Sequence, residues 1–184
     1  MHSLLILSLY ALAGQCKPIA TAPTVTIDSG TLTGKNSPPS VNQYLGIPFG
    51  TAARFEKAKP IAPWQGVYQA TDYKPTCIQQ FDYPEDARNA TIKWFNTPPP
   101  PGGESEDCLN INVWAPAGAT PGSKPVMFWI YGGGFKFGSG ALPMYEGINF
   151  AQNQDVVLVT ANYRNNVFGW PGSPDIPQTE QNLG

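Results

Sequence analysis

The chain has 184 residues, a length that suits one domain with a hydrophobic core of its own. Its formal net charge is −2 and only 13% of its residues are charged, so it lacks the basic surface that nucleic-acid binding requires. With 19 glycines and 20 prolines, the composition predicts many turns and irregular loops.

The N-terminal residues have the pattern of a secretory signal peptide. Residues 4–12 are almost wholly apolar, and Ala11-Leu12-Ala13 offers a small-residue cleavage site. We therefore predict a signal peptide over residues 1–14, secretion, and a mature domain over residues 15–184. Because no lysine or arginine precedes the apolar run, a buried N-terminal helix or an uncleaved anchor is the alternative, although the run is too short to span a bilayer.

Short alternating segments near the start of the mature chain predict small antiparallel strands. Val25 and Ile27 lie on one face of the first, Gly30 turns the chain, and residues 31–35 return as a hairpin. Residues 44–50 predict a third strand that is ended by a proline. Small strands of this kind often form the edge of a larger mixed sheet.

Secretion places the three cysteines in an oxidising compartment. Cys77 and Cys108 are then able to pair, whereas Cys16 is either removed with the signal or left as a free thiol. The segment between Cys77 and Cys108 is rich in aromatic residues and proline, and we expect an extended path without a regular element. It acts as a structural staple, as a flap over an apolar ligand, or as both. It also holds an acceptable glycosylation sequon at Asn89.

Residues 109–114 alternate between apolar and polar side chains, which predicts a strand with one polar face. Leu109, Ile111 and Val113 are expected to face the core. Residues 126–131 form an unbroken apolar run, which is typical of a strand buried on both faces of a parallel sheet. With a short helix and a further apolar strand over residues 155–163, this run predicts a right-handed βαβ unit.

Three consecutive glycines, residues 132–134, follow the apolar run directly. Glycine adopts φ angles that are closed to other residues, and it leaves its backbone N–H uncovered by any Cβ. The pattern therefore predicts a turn that holds an anion or a developing oxyanion.

Several segments resemble the type-B carboxylesterases, and they occur in that family's order. Residues 105–113 resemble the second signature of the family, and residues 129–135 resemble the oxyanion loop that it shares with cholinesterases and secreted fungal lipases. Residues 156–169 are similar to the strand and turn that follow, and residues 46–49 and 54–55 match the N-terminal region. The resemblance implies an α/β fold: the incomplete N-terminal part of an α/β-hydrolase, with a mixed, mostly parallel sheet.

The resemblance also implies roles for individual residues. It implies that the backbone N–H groups of Gly133 and Gly134 form an oxyanion hole. It also implies a disulfide between Cys77 and Cys108, and a buried ion pair between Arg54 and Glu106 at the base of the disulfide loop. In the fungal lipases this loop is the lid over the acyl site. The substrate that the resemblance implies is a small-molecule or lipid ester, and no cofactor is expected.

The sequence lacks the other groups that a serine hydrolase needs. Its only histidine is His2, inside the predicted signal, so a mature chain has no imidazole to activate a serine. No G-x-S-x-G motif occurs, and in the family the nucleophile, acid and histidine lie beyond a segment that begins like residues 181–184. We therefore predict that this chain alone is inactive, as the N-terminal portion of a secreted ester hydrolase.

Other chemistries fit the sequence less well. The glycine-rich segment has no lysine where a phosphate-binding loop requires one, and no G-x-G-x-x-G occurs in register. Metal binding lacks histidine ligands, and Glu104, Glu106 and Asp107 are better explained as a solvated turn with one paired glutamate. The remaining alternative is a non-catalytic cholinesterase-like binding module or an inactive truncated product.

Overall fold

The computed structural model describes residues 21–37 and 40–184. The predicted signal peptide and Cys16 lie outside the described residues. The strands are β1 Thr24–Ile27, β2 Gly30–Thr33, β3 Lys35–Ser37, β4 Val41–Pro48, β5 Gly50–Thr51, β6 Lys59–Pro60, β7 Val67–Gln69, β8 Thr76–Cys77, β9 Glu104–Ser105, β10 Asn110–Pro116, β11 Val126–Trp129 and β12 Val157–Ala161. The helices are α1 Glu85–Trp94, α2 Ile148–Asn153 and α3 Asn166–Gly169, with 3-10 turns at Pro143–Tyr145 and Gln178–Glu180. No helix within these ranges is both long and apolar enough to cross a membrane.

The largest sheet has the strand order β11-β12-β10-β4-β3. The prediction of a mixed sheet is confirmed, but the prediction that it is mostly parallel is wrong for the described residues. Only β11 and β12 run parallel; β12 with β10, β10 with β4, and β4 with β3 are antiparallel. A parallel pair requires a crossover connection, and among these neighbours only β11 and β12 are joined by one, through α2.

The predicted N-terminal hairpin is present, but it does not form the edge of the large sheet. Strands β1 and β2 pair antiparallel and join β7 in a separate three-stranded sheet. Leu32 on β2 is buried against Tyr44 and Ile47 of β4. The small sheet therefore packs on a face of the large one, because burying Leu32 there removes apolar surface from water.

Strand β10 buries the face that its sequence pattern predicts to be exposed. Asn112 and Trp114 are 1% and 0% exposed, and Asn110 is also buried, whereas Ile111 and Val113 are only partly buried. The Trp114 indole lies at the centre of the main apolar cluster, with Val41, Leu45, Ala151 and Leu158. The predicted inward residues do contact the core, since Leu109 is buried and Ile111 and Val113 pack partly buried against the cluster of Leu32, Tyr44 and Ile47. The prediction that the opposite face is a polar, exposed one is wrong, because the large Trp114 side chain buries its apolar area there.

Strand β11 is exposed rather than buried on both faces. Val126, Phe128 and Ile130 are 64%, 56% and 67% exposed, and of the apolar run only Tyr131 at its end is buried. The strand occupies one end of the strand order and pairs only with β12. Its apolar composition suits a strand with neighbours on both sides, and among the described residues it has one.

The segment between Cys77 and Cys108 contains a regular element that the sequence analysis did not predict. Helix α1 spans Glu85–Trp94, and none of its residues is buried. Glu85 and Asp86 lie in its first turn and Lys93 in its last, which suits the helix dipole. The proline run over residues 98–101 stays irregular, as predicted.

Candidate active site

The glycine loop, defined here as residues 132–140, leaves the end of β11 and turns at once. The Gly133 carbonyl oxygen accepts hydrogen bonds from Lys136 N at 3.1 Å and Phe137 N at 3.4 Å, which closes a tight turn. Gly133 has φ +140°, and a Cβ placed on it would lie 1.9 Å from the Phe137 carbonyl oxygen. Gly134 has φ +60°, but a Cβ there would meet nothing within 4 Å. The two glycines are thus required for different reasons, close approach at Gly133 and backbone conformation at Gly134.

Two backbone N–H groups of this turn, those of Gly133 and Gly134, have no protein acceptor among the described residues. Because both residues are glycine, neither has a side chain of its own to cover its N–H group. Two adjacent, uncovered donors of this kind are suited to hold an anion or an oxyanion.

A cavity of about 320 Å³ lies beside this turn. Its walls come from the glycine loop, from the end of α1 and from the segment before α2, and they include Gly132, Gly133, Phe137, Trp94, Phe95, Leu142, Met144 and Tyr145. The fold thus brings the disulfide loop and the glycine loop to the same, mostly apolar pocket. That the disulfide loop acts as a flap over a ligand stays a prediction.

Two stacked tyrosines hold the beginning of the glycine loop. The rings of Tyr131 and Tyr163 lie 4.3 Å apart between centroids. The Tyr163 hydroxyl donates to the Tyr131 carbonyl oxygen at 2.9 Å, and the Tyr131 hydroxyl donates to the Tyr163 carbonyl oxygen at 3.0 Å. Burial raises the pKa of both phenols, so both stay protonated and able to donate at neutral pH.

The middle of the loop contains a residue in a conformation that is rare for its type. Phe135 has φ 62°, in the left-handed region that bulky side chains seldom adopt. Its carbonyl oxygen accepts a hydrogen bond from Asn166 N at 2.6 Å, and its ring packs 4.5 Å from the Trp170 ring between centroids. Such strain persists only where the surroundings hold it, and it is frequent at functional sites.

Buried amides hold the end of the loop. The Gly140 N–H donates to Asn162 Oδ1 at 2.9 Å, and its carbonyl oxygen accepts from Thr160 Oγ1 at 2.8 Å and from Asn112 Nδ2 at 3.3 Å. Asn112 Oδ1 also accepts from Gly46 N at 2.9 Å, so the same side chain reaches across to β4. Sequence reasoning missed these residues, although asparagines at alternate positions of an apolar strand were a signal, because asparagine is depleted in strands.

The same amides reach the disulfide. The Cys108 carbonyl oxygen accepts from Asn162 Nδ2 at 3.2 Å and from Asn110 Nδ2 at 3.0 Å. The predicted disulfide between Cys77 and Cys108 is confirmed, and both cysteines are 1% exposed. One buried polar network therefore connects the disulfide to the end of the glycine loop.

The model of the carboxylesterase family matches residues 21–184. The chain belongs to the carboxylesterase family. Membership implies the α/β-hydrolase fold, and the mixed sheet is consistent with part of such a domain. The resemblance drawn from the sequence motifs is therefore confirmed.

Individual relatives agree with this membership. Acetylcholinesterase of Bungarus fasciatus is 38% identical over 167 residues, which cover 87% of this chain and 27% of that protein. Cholinesterase of Mus musculus is 34% identical over 177 residues, covering 88% and 28%, and acetylcholinesterase of Electrophorus electricus is 40% identical over 141 residues, covering 73% and 22%. The chain thus spans about a quarter of the length of these carboxylesterase-family relatives.

Arg54 and Glu106 of this carboxylesterase chain form an ion pair in the structure. Arg54 Nε lies 2.9 Å from Glu106 Oε1 and 3.1 Å from Oε2, and Arg54 Nη2 also donates to Oε1. The side chains are 61% and 29% exposed, so the pair is not buried as the resemblance implied, because Arg54 lies on an irregular surface segment. These hydrogen bonds hold the pKa of Glu106 below its ordinary value and raise the pKa of Arg54.

Replacing Glu106 with glutamine is expected to lower the free energy of unfolding at neutral pH and to have little effect in strong acid. The folded-state pKa of Glu106 is depressed below its unfolded value of about 4.3. The contribution of the ionised Glu106 side chain to the free energy of unfolding is therefore present above that value, and it is lost as the pH falls through the folded-state pKa. Urea unfolding of the parent and of Glu106→Gln, measured from about pH 3 to pH 7, gives the difference. A difference that stays constant over this range would contradict the assignment.

The remaining predicted positions lie away from the glycine loop. Asn89 lies on α1 and is exposed, and its glycosylation stays a prediction. Glu104 Oε2 accepts from Gln79 N at 3.0 Å, so this glutamate and Glu106 have separate partners. Across residues 21–37 and 40–184, no group of three or more histidine, cysteine, aspartate or glutamate side chains is placed to hold a metal ion.

Proposed function

We propose that this chain is the N-terminal portion of a secreted carboxylic-ester hydrolase, a serine esterase or lipase. It supplies the oxyanion-hole loop, and its disulfide loop is the lid. The observation that carries the proposal is the pair of free N–H groups on Gly133 and Gly134, in a turn beside a mostly apolar pocket. The family membership supports the reaction class.

In this proposal the glycine loop acts on the tetrahedral intermediate of ester hydrolysis. Attack on the ester carbonyl moves negative charge onto its oxygen, and the Gly133 and Gly134 N–H groups donate to that oxygen. Each such preorganised donor is worth about 3–4 kcal/mol in other hydrolases. The Tyr131–Tyr163 pair and the amides around Gly140 keep the loop from relaxing when the charge appears. The nucleophile, the acid and the histidine come from sequence outside these 184 residues.

The pocket supports an apolar ester as the substrate. Its walls carry Trp94, Phe95, Phe137, Leu142 and Met144, beside Gly133. The relatives are named acetylcholinesterase and cholinesterase, and those names describe their own substrates. For this chain we propose the broader class, a small-molecule or lipid ester with an apolar group in this pocket. The disulfide and the exposed sequon at Asn89 support an extracellular, glycosylated protein.

The purified 184-residue chain is expected to hydrolyse a short p-nitrophenyl ester no faster than the background rate. A longer natural reading frame that contains residues 1–184 and adds G-x-S-x-G, an acid and a histidine is expected to hydrolyse it. Absorbance of released p-nitrophenol measures both. In the longer protein, Gly134→Pro is the inactive control, because proline has no backbone N–H to donate and cannot adopt the φ of +60° found at Gly134.

Two outcomes would contradict this view. Turnover by the 184-residue chain that Gly134→Pro abolishes would overturn the predicted inactivity. A natural reading frame that stops after Gly184 would favour the non-catalytic alternative, a cholinesterase-like binding module or an inactive product.

A further inference from the structure

The first residues after Cys77 are attached to the glycine loop. Gln79 Oε1 accepts a hydrogen bond from the Gly138 N–H at 2.9 Å. On the next residue, the Gln80 N–H donates to the Lys136 carbonyl oxygen at 2.8 Å. Two hydrogen bonds therefore join the disulfide loop to the stretch that follows Gly133 and Gly134.

Gly138 has no side chain through which the protein could hold it in place. Its φ is +129°, and a Cβ on it would lie 2.3 Å from the Tyr131 ring, so the position is closed to any other residue. Without a side chain, it is fixed through its backbone, and its partly buried N–H has the Gln79 amide oxygen as its acceptor. Removing that acceptor leaves a partly buried donor unpaired, which is costly.

Gln79 is itself held on its other side. Its backbone N–H donates to Glu104 Oε2 at 3.0 Å. Glu104 lies on β9, which pairs with β8, the strand that ends two residues before Gln79. The Cys77–Cys108 disulfide closes the same base. The side-chain amide that reaches Gly138 therefore extends from a fixed backbone rather than from a mobile loop.

We propose that Gln79 is a positioning residue for the oxyanion donors. By holding Gly138, it fixes the turn in which the Gly133 carbonyl accepts from Lys136 and Phe137, and so it fixes the Gly133 and Gly134 N–H groups. The inference rests on the proposed function for its catalytic consequence. It gives the disulfide loop a second role, because the loop then sets the geometry of the site as well as lining its pocket.

Amide hydrogen exchange of the 184-residue chain, followed by NMR, tests the attachment without any need for activity. Gln79→Met keeps the side-chain length but removes the acceptor, so the Gly138 amide is expected to exchange about tenfold faster or more. Gln79→Glu keeps an acceptor oxygen and is expected to retain the protection of the parent. Gln80→Met is the matched control, because its exposed side chain changes while its backbone N–H remains. Equal loss of protection in Gln79→Met and Gln79→Glu, or no loss in either, would overturn the proposal.

Kinetics of the longer ester hydrolase test the catalytic consequence. Gln79→Met is expected to lower kcat about tenfold or more with KM within about twofold, because the oxyanion donors act mainly on the transition state. An unchanged kcat in a folded Gln79→Met variant would overturn the positioning role. If the longer parent protein itself shows no turnover, that result would count against the proposed function. The exchange measurement on Gly138 tests the attachment without turnover, so it distinguishes a failure of the proposed function from a failure of the positioning role.

Discussion

Replacing Gly133 with alanine is expected to disrupt the glycine loop, whereas the same change at Gly134 is expected to be far milder. A Cβ on Gly133 would lie 1.9 Å from the Phe137 carbonyl oxygen, so the backbone has to move. If Gly133 donates to the oxyanion as proposed, the variant of the longer protein is expected to lose about 10²–10³ in kcat. A Cβ on Gly134 meets nothing within 4 Å, and its φ of +60° costs an alanine about 1–2 kcal/mol.

The two alanine variants serve as controls for one another. Urea unfolding of the 184-residue chain measures the effect of each on stability, and p-nitrophenyl ester hydrolysis by the longer protein measures the effect of each on kcat. Gly134→Ala keeps its N–H and is expected to retain most of the turnover of the parent. Equal losses of kcat in Gly133→Ala and Gly134→Ala would show that the steric difference between the two sites is not what matters.

Replacing both Cys77 and Cys108 with alanine is expected to cost about 3.5–4 kcal/mol of unfolding free energy. The disulfide closes a loop with a sequence separation of 31, and in the chain-entropy model a cross-link of that span restricts the unfolded chain by this amount. Both sulfurs are in buried residues, so the variant also loses a little packing. Urea unfolding of the oxidised parent and of the double variant gives the difference.

The double cysteine variant has a useful comparison in the single variant Asn162→Ala. Asn162 connects the Cys108 carbonyl to Gly140 without any part in the cross-link. If the disulfide acts mainly on the unfolded chain, the Gly140 amide of the folded protein keeps its NMR chemical shift in the double cysteine variant, whereas Asn162→Ala removes the acceptor of that amide and shifts its resonance. A stability loss below about 1 kcal/mol in the double cysteine variant would contradict the chain-entropy account.

Features that depend on local sequence were predicted well. The turn after β11 follows from three consecutive glycines, the N-terminal hairpin from Gly30 between two alternating segments, and the family from motifs in order. The disulfide was implied by the resemblance and is present. Each of these depends on residues whose identity restricts the backbone, or on a motif that is readable without knowledge of packing.

Burial was predicted less well. Alternation in β10 shows that the strand has two faces, but it does not show how deeply each face is buried. In the structure Ile111 and Val113 pack partly buried on one core cluster. The face with Asn112 and Trp114 is buried more deeply, because the indole fills the core and the asparagine amide finds hydrogen-bond partners there. In β11 the apolar run indicates a preference for burial, yet exposure depends on neighbouring strands, and among the described residues β11 has one such neighbour.

By itself, the sequence determined the glycine turn, the family and the absence of a histidine outside residues 1–14, and the family resemblance implied which cysteines pair. Only the tertiary structure decided which side chains hold that turn. Gln79 and Gly138 are 59 residues apart, and Asn112 and Gly140 are 28 apart, so no local pattern relates them. Hydrogen-bond partners at such separations are chosen by the packing of strands and loops. The positions that fix the two free N–H groups therefore became visible only once the chain was folded.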